Sequence, residues 1–282
     1  MAVKIIPLIN NTALPGFYRE HGLSFWLEFE GRTVLYDAGQ SCLLLSNARY
    51  LGLDPAGIDA VVISHGHYDH TGALGELLSM APEADLYVHP DALKCRHSIK
   101  NKSVKSVGIA EPARKAIERH SDKGRVVWPE GCTEIFNGLF VTGTIPRTTA
   151  FEDTGGSFFN DAEGAEPDML YDDQAVFFGT DEGTVILSGC SHSGIVNIVR
   201  YVTSVTGTND IALLAGGMHL VNADEEKINR VIRELKEFNI RRTVPAHCTG
   251  TEAERCILKA FPDRAQVCEA GRELTQVPQL GG

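Results

Sequence analysis

The sequence predicts an α/β protein in which two mixed β-sheets pack together with helices outside, an αββα four-layer sandwich. Three observations predict it. Strand-like apolar runs dominate the start of each half of the chain, and segments of helical spacing dominate the end. The run at 58–63 loses polar alternation in its second half, as a strand buried on both faces does. The 282 residues are 43% hydrophobic and 22% charged, which suits one large α/β unit and excludes a disordered chain. A single domain over 1–282 is expected, with an inserted basic segment at 94–125 and an acidic loop at 151–173.

Apolar runs at 3–9 and 23–29 open the chain, and the turn Glu30-Gly31-Arg32 leads into a third at 33–37, so a β-meander is expected. Residues 42–51 have helical spacing and close at Gly52. The buried strand at 58–63 precedes a helix over 72–80, with Thr71 as its N-cap, and a strand at 84–88. In the second half, strands at 174–178 and 184–187 flank the turn Asp181-Glu182-Gly183. A helix at 195–205, a strand at 211–215, a helix at 225–238, a strand at 242–245 and a helix at 252–261 follow. Residues 266–269 read as a final edge strand.

The formal charge is −11, from 26 Lys and Arg against 37 Asp and Glu, which argues against a general nucleic-acid binder. The charge is uneven. Residues 94–125 carry ten Lys or Arg and three acids, whereas 151–173 carry eight acids and neither Lys nor Arg. Both read as loops or an inserted helix over a site, or as solvated surface. The first reading puts the basic segment near the site mouth, where it steers a small anion inward. No apolar stretch approaches the roughly 18–20 residues of a transmembrane helix, and the short run ending at Asn10-Asn11 is not expected to be a secretory signal. Seven cysteines without regular spacing read as reduced thiols of a cytoplasmic protein, with Cys42, Cys95, Cys132, Cys256 and Cys268 assigned to packing.

The chemistry concentrates in Ser64-His65-Gly66-His67-Tyr68-Asp69-His70, directly after the buried strand. Three histidines and an aspartate thus emerge at the C-terminal end of a central strand, where α/β proteins commonly place their sites. In an extended turn His65 and His67 share one side, with Asp69 and His70 adjacent. Imidazole and carboxylate together suit Zn, Fe or Mn, and the bland alternative is a histidine-rich surface loop.

His-x-His-x-Asp-His after a buried strand resembles the signature of the metallo-β-lactamase-fold hydrolases. Leu35-Tyr36-Asp37-Ala38-Gly39 resembles the strand-end Asp-x-Gly of that family. Leu187-Ser188-Gly189-Cys190-Ser191-His192, Gly216-Gly217-Met218-His219-Leu220 and Pro245-Ala246-His247-Cys248-Thr249-Gly250 follow in the right order. Together they are most similar to the dihydropterin–ribofuranosylaminobenzene-phosphate synthase-like subfamily. The resemblance implies two divalent metals, zinc first, with Fe or Mn as alternatives. It implies His65 and His67 at the first metal and Asp69 and His70 at the second, completed by His247. His192 is the candidate third ligand of the first metal, because 142–147, where the wider family has its histidine, has none. Cys190 stands where the wider family has a bridging aspartate. It either coordinates, which would bias the site toward Zn, or only packs.

A histidine at 67 in place of a glutamate argues against an oxygen-reducing di-iron version of the family. Hydrolysis or group transfer on a small phosphorylated or anionic substrate remains, with Asp69 and His219 as catalytic candidates. The subfamily implies condensation of a dihydropterin with a ribofuranosylaminobenzene phosphate. A phosphodiesterase or lactonase is the alternative, and a metal-stabilised small-ligand sensor the non-enzymatic one. Asp37 reads as an acceptor that orients ligands, or as a turn-former. His219, after Gly216-Gly217, reads as a ligand, a substrate contact or a general acid. His89 before Pro90 faces the pocket or is structural, and Arg147 binds an anionic substrate group or lies on the surface.

Overall fold

The computed structural model describes residues 3–274. Strands β1 (Val3–Ile9), β2 (Ser24–Phe29) and β3 (Arg32–Tyr36) form the expected antiparallel meander. Helix α1 (Leu43–Tyr50) crosses over to β4 (Ala60–Val62), which runs parallel to β3. Helices α2 (Tyr68–Thr71) and α3 (Leu74–Met80) then lead to β5 (Asp85–Tyr87), parallel to β4. The helix expected over 72–80 is α3, which begins two residues later, and a separate helical turn, α2, precedes it inside the histidine motif. Thr71 is not an N-cap; its hydroxyl donates back to the His67 carbonyl at 2.9 Å.

The basic segment contains strands β6 (His97–Lys100) and β7 (Ser103–Ser106) and helix α4 (Glu111–Asp122), and β8 (Val126–Val127) returns the chain to the edge of the first sheet. On α4, Ala113, Ala116 and Ile117 are buried at helical spacing while the charged residues stay outside, an amphipathic pattern.

The second sheet begins with β9 (Thr133–Phe136) and β10 (Leu139–Val141). The acidic segment contributes β11 (Phe158–Phe159), which pairs with β6 in a small third sheet. Thereafter come β12 (Ala175–Thr180), β13 (Gly183–Ser188), α5 (Ile195–Thr206), β14 (Asp210–Gly217) and α6 (Glu225–Leu235). Strands β15 (Asn239–Ile240) and β16 (Thr243–Ala246) and helix α7 (Thr251–Ala260) complete the set. Strands β13, β14 and β16 are mutually parallel neighbours. Residues 266–269 form no strand; the chain there makes only single bridges, Ala265 with Thr243 and Ala270 with Ala13.

Alternate residues of each strand feed different cores, which is why the strands read as apolar runs without polar breaks. Ile5, Val34, Phe178 and Leu213 meet between the sheets. Ile6, Leu35 and Val61 face outward onto Leu44, Leu77 and Ile117 of the first helical layer. Phe177, Ile186 and Leu214 face outward onto Ile198, Val202 and Ile257 of the second. The result is helix, sheet, sheet, helix, as the sequence predicts.

Candidate metal centre

The C-terminal ends of β3, β4, β13, β14 and β16 converge on one edge of the sandwich, and the chain bends sharply there. Asp37, Ser191, His219 and His247 have φ of 64°, 61°, 44° and 47°, left-handed values that non-glycine residues rarely adopt. Each lies one to three residues beyond a strand end, and such backbone strain clusters at functional sites. The sheets approach so closely that a Cβ on Gly189 would come within 2.1 Å of the Ser64 hydroxyl.

The structure brings His65, His67, Asp69, His70, Cys190, His192 and His247 together in this edge, all buried. Two groups of donor atoms each fall within 4.8 Å of one another: His65, Cys190 and His192, and His70, Cys190 and His247. Cys190 is common to both.

The imidazoles are oriented through their Nδ1 atoms. Asp37 accepts from the Ser64 backbone N–H and hydroxyl, each at 2.7 Å, and from His70 Nδ1 at 2.6 Å. Because the Ser64 hydroxyl hydrogen points at Asp37, its oxygen accepts from His65 Nδ1 at 2.9 Å. His192 Nδ1 donates to the Thr154 carbonyl at 2.7 Å, and His247 Nδ1 to Asn11 Oδ1 at 3.0 Å. All four rings therefore turn Nε2 into the cluster, the arrangement by which outer partners fix metal-ligating histidines. The Nε2 atoms of His67, His192 and His247 are buried without a hydrogen bond. Burial holds the His65 and His192 pKa values well below the imidazole range, and burial with Arg96 nearby takes His67 down to about 3. Neutral rings, with Nε2 of His67 and His192 unpartnered and Nε2 of His65 met at 2.9 Å only by His67 Nδ1, fit a divalent cation. At His70 burial also opposes the charge, but the Asp37 carboxylate overrides it and raises the pKa to about 9.

The cluster floors a cavity of about 550 Å³, within the usual range for a small-molecule site. His67, Asp69, Cys190, His219, His247 and Cys248 form its base. His21, Tyr68, Lys105 and Phe158 are among the residues around it. His21 Nε2 lies 3.1 Å from Asp69 Oδ2, and His247 Nε2 lies 3.3 Å from the same oxygen. Lys105 Nζ donates to the Tyr68 hydroxyl at 2.8 Å and stands over its ring.

His89 and Arg147 are not among the residues lining this cavity, and both make contacts within the fold. His89 is bound through Nε2 to the Thr144 hydroxyl and through Nδ1 to the Asp91 N–H. The Arg147 guanidinium donates to the Met169 and Leu170 carbonyls. The two charged segments meet each other. Arg96 is buried and binds Asp168 at 2.7 Å and Asp172 at 2.6 and 2.7 Å. Asp172 also accepts the Gly66 N–H at 2.7 Å, directly between His65 and His67. Asp173 accepts from the Ser193 backbone and hydroxyl, and Glu152 accepts the Val196 and Asn197 N–H groups at the start of α5. These acids brace the turns that carry His65, His67 and His192 rather than facing solvent.

Residues 18–247 match the metallo-beta-lactamase superfamily. The chain belongs to this superfamily. Over 266 residues it is 30% identical to the 7,8-dihydropterin-6-methyl-4-(beta-D-ribofuranosyl)-aminobenzene-5'-phosphate synthase of Methanocaldococcus jannaschii, covering 91% of this chain and 90% of that protein. The crystal structure of Tm1679, a metal-dependent hydrolase of the beta-lactamase superfamily, matches with a TM-score of 0.81 at 29% identity, covering 98% of this chain and 99% of that one. A diphosphatase of the PhnP family shares the fold at a TM-score of 0.52 and 12% identity, covering 98% of each chain. Among the described residues no helix is long and apolar enough to cross a membrane.

Sequence reasoning missed several residues of this superfamily member's site. Cys248 lies at the cavity base, although it was in plain view beside His247. Asn10 and Asn11, read only as the end of an apolar run, hold the His247 backbone and ring. The signal was a pair of amide side chains ending a buried strand. Of the cysteines assigned to packing, Cys268 is buried, but Cys42, Cys95 and Cys132 are exposed.

Proposed function

We propose that the protein is a metal-dependent enzyme with a dinuclear site acting on a small phosphorylated substrate, in the manner of the dihydropterin–ribofuranosylaminobenzene-phosphate synthases. One observation carries the reading: two donor groups share Cys190 at the base of a single cavity that has a lysine on its wall. His65, His67 and His192 would hold one ion, and Asp69, His70 and His247 the other, with Cys190 between them. The softness of its sulfur favours zinc. Ions bound there supply Lewis acidity to a substrate oxygen.

The remaining roles belong to the chain's own side chains. Asp37 and Ser64 fix His70 and His65, so the ligands keep their direction when substrate enters. Lys105 and Tyr68 offer a cation and a hydroxyl to a phosphate, and the Phe158 ring offers an apolar face to an aromatic group. His219, on the cavity wall beside Cys248, faces the reacting end of the substrate. A cytoplasmic location would keep the seven cysteines reduced.

Metal analysis of the purified protein should find about two equivalents, and the metal-loaded protein should condense a dihydropterin with a ribofuranosylaminobenzene phosphate. A protein that carries no transition metal after careful purification would sink the reading. Turnover of bis-p-nitrophenyl phosphate or simple lactones, without pterin binding, would replace condensation by hydrolysis. Tight ligand binding without turnover would make it a sensor.

A further inference from the structure

A third donor group lies beside the two described above. Cys190, His219 and Cys248 each offer one ligand atom, and these atoms lie within 4.8 Å of one another. Cys248 and His219 belong to neither expected ligand set. The pairing of β14 with β16 sets Gly217 opposite Ala246, so His219 and Cys248 each stand two residues past a paired strand end. All three side chains line the same cavity.

Their positions are fixed from behind. A Cβ on Gly155, at φ +78°, would come within 1.9 Å of His219 Cδ2, so the loop backbone lies flat against that edge of the ring. The His192 and Phe158 rings also pack on His219, with centroids 4.2 and 6.1 Å away. His219 Nδ1 is a buried atom without a hydrogen bond, and an unpartnered buried nitrogen is costly unless something binds it. Cys248 Sγ packs against Gly217, where a Cβ would approach to 2.5 Å, and makes a weak bond at 3.4 Å to the Cys190 carbonyl. Two sulfurs and an imidazole on a cavity wall make a different donor set from the imidazole and carboxylate ligands around it. Cys₂His is the set that zinc enzymes use when a fourth position stays open, and its sulfurs select thiophilic ions.

We propose that Cys190, His219 and Cys248 form a further metal site for one thiophilic ion, such as Zn²⁺ or Cd²⁺, with its open position facing the substrate cavity. The proposal rests on the metal-binding reading above and adds an ion to it, with the Cys190 sulfur shared between neighbouring positions. Loading releases the thiol protons of the cysteines to solvent as the metal–sulfur bonds form. With the ion in place His219 is a ligand and no longer free to meet substrate, so soft-metal loading changes the end of the cavity where chemistry occurs.

Cys248→Ser separates the readings, because Cys248 belongs to this group alone. The full chain is stripped of metal and titrated with Co²⁺, following thiolate-to-cobalt charge-transfer absorption, and with Cd²⁺, counting bound equivalents. Cys248→Ser should lose one equivalent of Cd²⁺ and roughly half of the thiolate band. His219→Ala should lose the same equivalent, and His67→Ala should still remove a different one. A Cys248→Ser protein with wild-type stoichiometry and band would overturn the proposal while leaving the dinuclear reading intact. A wild type that binds no metal at all would overturn both. Should Cys248→Ser fail to fold, cadmium NMR of the wild type decides: a resonance at the shift of thiolate-rich coordination supports the site, and only nitrogen- and oxygen-ligated signals refute it.

Discussion

The two wings of the proposed metal centre are built on opposite principles. His65, His67 and His192 are neutral rings held below their usual pKa by burial, and Nε2 of both His67 and His192 lacks any hydrogen bond. Asp69, His70 and His247 instead bring carboxylates with them: Asp37 on His70 and Asp69 against His247. Burial opposes ionisation of Asp69, yet the His21 and His247 rings set against its carboxylate hold its pKa well below the usual range. The first wing therefore leaves two ring nitrogens with no carboxylate against them for an ion to satisfy, whereas in the second a carboxylate stands against each ring. Metal removal should expose this asymmetry.

The largest effects come from deleting one ring of each wing. His67→Ala should lose about one of two metal equivalents and nearly all turnover. In the metal-free protein it should cost about 1–2 kcal/mol, because it removes the 2.9 Å bond between His67 Nδ1 and His65 Nε2 but also an unsatisfied Nε2. His70→Ala leaves Asp37 buried without its partner and should destabilise the metal-free protein by about 3–5 kcal/mol. Urea unfolding of both variants under chelation checks the contrast; equal losses would erase it.

Next in size is the strut between the charged segments. Arg96→Met leaves Asp168 and Asp172 buried without their cation, at about 3–5 kcal/mol of stability. The double variant Arg96→Met, Asp172→Asn should recover part of that loss, with the coupling read from a double-mutant cycle. Asp37→Asn is subtler. It keeps shape but cannot accept from Ser64 and His70 as a carboxylate does, and should weaken metal binding about 10–100-fold. Competition with a chromophoric chelator measures it, and unchanged affinity would remove Asp37 from the orienting role.

The same contrast explains what the sequence made legible. The sandwich could be read because its strands are buried on both faces, as in Ile5 and Ile6 or Phe177 and Phe178, and leave unbroken apolar runs. The histidine motif could be read because its donors are close in sequence. The helical turn from Tyr68 to Thr71 went unread because it lies inside the motif, where chelating residues and helix formers overlap. Arg96 and Asp172 are 76 residues apart, so their pairing left no local trace and their segments resembled solvated surface. Asn11 and Cys248 were missed for the same reason: their roles depend on strand ends that only the folded sheets bring together.

The smallest effect tests how far the basic segment acts at a distance. Of its cations, Lys105 lines the cavity, while Lys100 ends β6 and Lys102 sits in the hairpin turn. Lys94, Lys115 and Arg125 are engaged by Asp91, Glu111, and Glu83 with Asp85. A local contact therefore predicts a different pattern from long-range steering. Lys105→Ala should raise KM for an anionic substrate about two- to fivefold, the worth of an exposed ion pair. Lys100→Ala with Lys102→Ala should change KM less and act mainly on its salt dependence, because charges at the hairpin contribute only through the screened field. If the hairpin pair matters as much as Lys105, the segment works as a field. If none of the three changes KM or its slope with salt, the segment has no part in substrate capture, and its charge serves chiefly to dock Arg96 against the acidic loop.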